Sequence, residues 1–354
     1  MNNVLLEYIW LDGYKTPNLR NKITVKKAST ISLDANGLPD VKSLPDWNFD
    51  GSSTKQAPGN NSERILKPVR VYGWKHGHYL VLCEVYDNNG KPHDSNSRAN
   101  LRDSAGKYSS EEFWWGFEQE YFITDGYRPL GFPKEGYPQP QGFYYCGVGV
   151  NQVVGRKLAE QHLEKCLSMG IEFTGTNAEV AIGQWEFQCF SKDTLKACDD
   201  LWISRYVLYR LAEEYEWGID LSPKPVHGDW NGSGCHTNFS TTWMRNGPGG
   251  ETKFKSLIDK MASNHYEHIK GYGEGNDKRL TGEHETQHID KFTWGIGDRG
   301  ASIRVPNSVE QNGWQGYIED RRPASNCDPY AVAKLIVETT ADEDMGYYEV
   351  EWTD

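Results

Sequence analysis

Five glutamates stand where carboxylates are hard to keep. Phe113 to Ile123 reads as a strand by composition, and residues two apart on a strand share a face, so Glu118 and Glu120 point the same way. Two carboxylates side by side among apolar neighbours repel each other and lose hydration, unless a cation neutralises them or one keeps its proton. A solvated face is the other arrangement that would tolerate the pair. Glu179 and Glu186 repeat the pattern, each a single carboxylate in a strand-like stretch, with Gly183 available for a bend between them. Glu319, within Gly316 to Arg322, is the fifth. Hard divalent cations take several oxygen ligands, and this set suits magnesium or manganese better than zinc.

His236 follows the small residues Gly232, Ser233 and Gly234, which let a ligand approach the backbone closely. Taken alone it fits a structural histidine as well as a ligand. Arg279, Arg299, Arg304, Arg321 and Arg322 add a supply of guanidinium forks, which bind phosphate and carboxylate in a fixed geometry. Carboxylate-bound metals beside arginines describe phosphoryl transfer, where catalysis is chiefly positioning and charge neutralisation. Two formal motifs do not survive their context. Gly295 to Gly300 spells GxGxxG, but a strand-like stretch follows where a dinucleotide site needs a helix. His284 to His288 spells HExxH, yet it leads into the β-prone Phe292 to Gly295, where the two histidines would not share a helical face.

The elements that must hold these residues are mixed. The first ninety residues read as short strands joined by turns, with Val4 to Leu11 and Tyr79 to Tyr86 the clearest and Asp46 to Lys67 a long polar loop. Four helices are expected: Val153 to Met169, Asp193 to Trp217, Lys253 to Ile269, and one opening at Asp328-Pro329 with an N-cap and a first-turn proline. Asn246 to Gly250 reads as a surface turn. The composition turns polar from Ser95 to Gly106, and no βαβ rhythm or repeat appears, so the fold class is α+β.

The 354 residues suffice for two domains, and 38 Lys plus Arg against 50 Asp plus Glu give a net charge of −12. That balance argues against phosphate-neutralising nucleic-acid binding and against an anionic membrane surface. Seven cysteines without a CxxC pair suggest reduced thiols. Met1 to Glu7 shows no signal-peptide pattern and no apolar run approaches a membrane span, so a cytoplasmic protein is expected.

Eight colinear blocks resemble the glutamine synthetase family, in its short eukaryotic-type (type II) form. They are Trp47 to Thr54, the Glu118-Gln119-Glu120 strand, Gln141 to Gly149, Asn177 to Gln188, Asn231 to Ser240, Arg279 to Glu285, Arg299 to Pro306 and Gly316 to Pro329. The resemblance implies a small N-terminal β-grasp domain over 1–92 and a large α+β catalytic domain over 93–354. It implies an ATP-dependent ligase making glutamine from glutamate and ammonia through γ-glutamyl phosphate, with release of ADP and phosphate.

By the same resemblance, Glu120, Glu179 and Glu186 hold one metal and Glu118, His236 and Glu319 a second, with two or three Mg2+ (or Mn2+) per site. Arg279 takes the α-carboxylate of glutamate beside Asn231 and Gly232, Arg321 the γ-carboxylate, and Arg299 the phosphoryl group in flight. Trp114, Asn238, Ser240, Arg245, Arg304 and Tyr317 join Arg299 as ATP contacts. Asp50, with Ser53, Tyr145 and Glu179, binds ammonium and removes its proton, and Glu285 takes a proton from the tetrahedral adduct on a closing flap. Active sites between subunits imply a homo-oligomer, two stacked pentameric rings, with Asp50 serving a neighbour.

Overall fold

The computed structural model describes residues 2–247 and 250–341, so Pro248 and Gly249 of the expected surface turn lie outside the described residues. The chain divides into two compact units, one of residues 1–103 with 167–170 and one of residues 104–166 with 171–354.

The first unit is built on a five-stranded sheet: β1 (Asn3–Leu11), β2 (Leu19–Lys27), β3 (Trp47–Asp50), β4 (Glu63–Lys75) and β5 (His78–Tyr86). The order is β2-β1-β5-β4-β3, with the central β1–β5 pair parallel and the others antiparallel. The stretch expected as a loop over Asp46 to Lys67 therefore contains β3 and the start of β4. Two-residue alternation explains it. Trp47 packs edge-on to Tyr8 at 5.3 Å, and Phe49 lies 4.8 Å from Trp10, so both aromatics leave the solvent through one face.

The second unit carries a nine-stranded mixed sheet: β6 (Trp114–Asp125), β7 (Arg128–Pro129), β8 (Phe173–Ala178), β9 (Gln184–Ser191), β10 (Gly218–Asp220), β11 (Cys235–Ser240), β12 (Trp294–Ile296), β13 (Ile303–Val305) and β14 (Ile318–Asp320). Its order is β12-β13-β14-β11-β6-β9-β8, with β7 and β10 on β6. The fold is α+β, a strand domain followed by a catalytic domain.

The helices are α1 (Ser97–Lys107), α2 (Arg156–Ser168), α3 (Thr194–Glu213), α4 (Thr242–Asn246), α5 (Gly250–Ser263), α6 (His265–Gly271), α7 (Asn307–Gln311) and α8 (Pro329–Thr340). Three depart from expectation. The β-branched Val153 and Val154 stay outside α2. The chain leaves α3 before Trp217, because Glu216 turns left-handed at φ 59°. One helix over Lys253 to Ile269 is two, broken at Asn264, whose side chain donates to Lys260 O at 2.9 Å and competes with the backbone ladder. Asp328 caps α8, its carboxylate accepting from Tyr330 N at 3.1 Å. Among the described residues, no helix is long and apolar enough to cross a membrane.

Candidate active site

Register on the second sheet aligns the acidic residues. His236 faces Glu118 across β11 and β6, and Gln188 faces Glu118 from β9. One step along, Glu120 pairs with Glu186, which pairs in turn with Asn177 of β8. One step the other way, Asn238 pairs with Glu319, and Glu319 with Arg304. These rows are two residues apart, so all their side chains emerge on one face of the sheet. The face read in Glu118 and Glu120 thus extends over six strands.

Above this face lies a cleft of about 570 Å³, lined by Glu118, Glu120, Glu179, Glu186, His236 and Glu319, by Arg279, Arg299, Arg304 and Arg321, and by Tyr145, Asn231, Gly232 and Glu285. Every one of them belongs to the second unit. Gly183, at φ 81°, makes the bend between Glu179 and Glu186, with Leu130 O only 2.4 Å from where a Cβ would stand. At Gly234 a Cβ would come within 2.4 Å of Arg279 Nη2, so the glycine is what lets that guanidinium reach the floor.

The carboxylates divide by their partners. Glu319 is fully buried and held by Arg304 Nη1 at 2.7 Å, Arg321 Nη1 at 2.6 Å and His236 Nδ1 at 3.3 Å. Glu120, Glu179 and Glu186 form no ion pair among the described residues. Glu120 accepts from Gly234 N at 2.7 Å, Glu179 from Asn177 Nδ2 and Val180 N at 3.1 Å each, and Glu186 from the Gln188 amide. Burial, then the charge of Glu120, pushes the Glu179 carboxyl up to about 8. Burial, then Glu118, Glu120 and Glu179, lifts Glu186 well above the usual carboxylate range, and burial lifts Glu120 as well. Burial and the arginines hold His236 neutral, the state in which an imidazole can ligate a metal.

Ligand atoms of Glu118, Glu186 and His236 lie within 4.8 Å of one another. This triplet takes one residue from the first expected metal set and two from the second. Oxygen-rich donors around a neutral imidazole, with three carboxylates held above their ordinary range by burial and, for Glu179 and Glu186, by neighbouring carboxylates, fit a hard divalent metal.

A second cavity of about 400 Å³ is lined by Trp114, Phe190, Asn238, Ser240, Arg245 and Tyr317, and shares Glu118 and Gln188 with the cleft. Arg245 lies over the Trp114 ring at 4.0 Å and Lys192 at 4.3 Å. The expected ATP contacts thus divide between the two cavities, Arg299 and Arg304 lining the first. Asn238 turns its amide to Glu118 Oε1 at 2.7 Å.

Glu285 sits on a turn with consecutive left-handed residues, His284 at φ 54° and Glu285 at φ 59°. The HExxH stretch is this turn, not a helix, and His284 Nε2 points to Asp229 Oδ1 at 3.2 Å. Asp50 and Ser53 belong to the first unit. Asp50 is exposed, accepts from Ser52 and from Ser53 Oγ at 2.8 Å, and is held below the usual carboxylate range by those hydroxyls. Sequence reasoning gave no role to Gln188 or Gln141. Gln188 donates to Glu186 from two residues away on the same strand, a spacing that was readable. Gln141 grips Asn231 at both its backbone N and its Oδ1, at 2.7 Å each, and nothing in their 90-residue separation signals it.

Among known protein families, the model described as "Glutamine synthetase, catalytic domain" matches residues 95–264. The glutamine synthetase of Bradyrhizobium diazoefficiens is 51% identical over 346 residues, covering 96% of each chain. "Glutamine synthetase 1, mitochondrial" of Drosophila melanogaster is 47% identical, over 96% of this chain and 84% of its own. Among solved structures, a cryo-EM structure of Plasmodium falciparum glutamine synthetase superposes with a TM-score of 0.74 at 17% identity, over 96% of this chain and 72% of its own.

Proposed function

The chain belongs to the glutamine synthetase family, ligases that use ATP and divalent metals to form glutamine from glutamate and ammonia, and from that premise we propose a two-step reaction with assigned residues. In the first step a γ-carboxylate oxygen of glutamate attacks the γ-phosphorus of ATP. The bond to the β-phosphate oxygen breaks, and γ-glutamyl phosphate and ADP result. Arg279 holds the α-carboxylate against Asn231 and Gly232, Arg321 holds the γ-carboxylate, and Arg299 binds the phosphoryl oxygens as charge builds on them. Trp114, Asn238, Ser240, Arg245 and Tyr317 hold the nucleotide from the second cavity, and Arg304 from the cleft.

In the second step ammonia attacks the acyl carbon. Ammonium is bound by Asp50, Ser53, Tyr145 and Glu179, and Asp50 takes its proton. The tetrahedral adduct gives a second proton to Glu285 and expels phosphate, leaving glutamine. The acyl phosphate hydrolyses if water enters, which gives the Glu285 turn a purpose as a closing flap. Glu120, Glu179 and Glu186 would hold one cation, and Glu118, His236 and Glu319 a second. Two or three magnesium or manganese ions per site would supply neutralisation of the phosphate charge. The exposed Asp50 serves the cleft of a neighbouring subunit, in a type II homo-oligomer of two pentameric rings in the cytoplasm.

What carries this reading is one face of one sheet that brings buried carboxylates without cation partners next to four arginines. The test is phosphate release from ATP with glutamate and magnesium, with and without ammonium. Release should depend on ammonium and end in glutamine. Release that ignores ammonium, or that needs methylamine in its place, would overturn the reading.

A further inference from the structure

Behind the cleft, between Glu118 and Glu120, β6 carries Gln119 on the opposite face of the sheet, where it is completely buried. Its Oε1 accepts from Arg205 Nε of α3 at 2.8 Å. Its amide nitrogen donates to Ser325 O at 3.1 Å, Ser325 Oγ at 2.9 Å and Glu120 O at 2.8 Å. The Ser325 hydroxyl returns to Glu120 O at 2.6 Å. Arg205, 1% exposed, uses its other nitrogens on Cys327 O at 2.8 Å and Ser325 O at 3.0 Å. No carboxylate pairs with Arg205 among the described residues.

A buried guanidinium with only neutral acceptors is costly, and an apolar pair would pack the same space for less. What a rigid fork supplies instead is geometry, because its donors fix several acceptors at once. Here the acceptors belong to β6 and to the segment Ser325–Cys327. That segment is tied to the start of β11, with Ser325 N on Ser233 O at 3.0 Å and Cys235 N on Pro323 O at 3.0 Å. The clamp therefore joins the strand bearing Glu118 and Glu120 to the strand bearing His236, from the side that no substrate reaches.

We propose that Arg205 and Gln119 are positioning residues for the metal site, holding the pitch of β6 so that Glu118 and Glu120 present their carboxylates to a cation together with Glu186 and His236. The proposal rests on the reading of that cleft as a metal site. The measurement is a calorimetric titration of the full-length protein with Mn2+ in the absence of substrates, on wild type, Gln119→Met, Arg205→Lys, and Val337→Ala as a core control of reduced stability. The dissociation constant should rise about 10–100-fold in the first two variants, the range found when groups supporting metal ligands are lost. It should not move in Val337→Ala. Unchanged Mn2+ affinity in Gln119→Met, with stability lowered as in the control, would reduce the clamp to packing and overturn the proposal. If Gln119→Met does not fold, Ser325→Ala, which removes one hydroxyl of the same clamp, gives the same decision. A wild type that takes up no Mn2+ would instead sink the metal-site reading, and the clamp's role with it.

Discussion

The two faces of one sheet treat buried carboxylates in opposite ways. On the back face, Asp320 is fully buried and accepts from Arg322 Nε at 2.9 Å and Nη2 at 2.7 Å, and from Tyr272 at 2.8 Å. Arg322 also donates to His265 Nδ1 at 3.1 Å and His268 Nδ1 at 2.9 Å. Burial alone would raise the Asp320 carboxyl, yet Arg322 outweighs it and the group lies below its ordinary range. Glu84 of the first unit behaves likewise, held down against its own burial by Arg98 and Arg102. On the cleft face, Glu120, Glu179 and Glu186 are lifted instead. Arginines are at hand there too, but Arg304 and Arg321 close on Glu319, Arg279 turns to His236 and to backbone carbonyls, and these three form no ion pair among the described residues. The contrast between carboxylates neutralised at two places and three left unneutralised at a third is what supports the proposed role of those three as cation ligands.

The largest effect is expected from a cleft glutamate that belongs to neither class. Glu285 sits exposed on its strained turn and lies outside the triplet of candidate ligand atoms. Glu285→Ala should lower glutamine formation by ~10²–10⁴-fold, as for loss of a positioned base, while Mn2+ and ATP binding stay near wild type. Calorimetric titration beside turnover decides this. Metal affinity lost as badly as in Glu186→Ala would make Glu285 a ligand and erase the distinction.

Breaking the paired face should cost stability. Asp320→Asn leaves Arg322 buried with no anion, which costs about 3–5 kcal/mol for a broken buried pair. Denaturant unfolding of the metal-free protein reads it directly. A loss below about 1 kcal/mol, the scale of an exposed pair, would mean that the histidines and tyrosine already satisfy the guanidinium.

The sequence announced the cleft face far better than the back. Two-residue spacing in Glu118 and Glu120 was legible because a strand imposes it, and aromatic flanks marked the strand as buried. Glu319, His236 and Arg279 were singled out by residue type, but their particular roles came through family resemblance, since no local spacing links them. Asp320, Arg322, His265, His268 and Tyr272 were not legible as a set. Two of them stand about fifty residues from the others, and only the docking of α6 behind β14 brings them together. Arg205 and Gln119, 86 residues apart, were hidden for the same reason. Helix ends were misjudged where one side chain or one left-handed residue overrode a continuing apolar pattern, as at Asn264 and Glu216.

The two faces should also show opposite pH responses in the metal-free protein. Glu179, lifted to about 8 from its ordinary 4.5, binds more protons folded than unfolded. Its contribution is fully present below 4.5 and lost as pH rises through about 8. His268, pushed down by burial from 6.5 to about 3, does the reverse: its contribution is present above 6.5 and lost as pH falls toward 3. Each proton sets a slope of at most about 1.4 kcal/mol per pH unit. Thermal midpoints measured from pH 5 to 9 with chelator should therefore stay nearly level from 5 to 6.5, where the two slopes oppose each other, and decline from about 6.5 to 8, where Glu179 alone titrates. Saturating magnesium should remove the alkaline decline alone. A decline that magnesium leaves untouched would have its origin away from the cleft.

The smallest effect is the most pointed, because its sign is unusual. Glu186 repels Glu118, Glu120 and Glu179 and has no cation partner among the described residues. Glu186→Gln keeps the volume and removes the charge, so with chelator present at pH 8.5 it should stabilise the fold. An expected gain of about 1 kcal/mol corresponds to a rise of roughly 1–2 °C in the midpoint for a chain of this size. With saturating magnesium the order should invert. The wild type then gains RT ln(1 + [Mg2+]/Kd) from a site the variant has weakened. A paired carboxylate such as Asp320 cannot show this inversion, since its charge is already neutralised inside the protein. If Glu186→Gln lowers the midpoint under chelation as well, then Glu186 has an internal cation partner, and the two faces differ less than their ion pairs indicate.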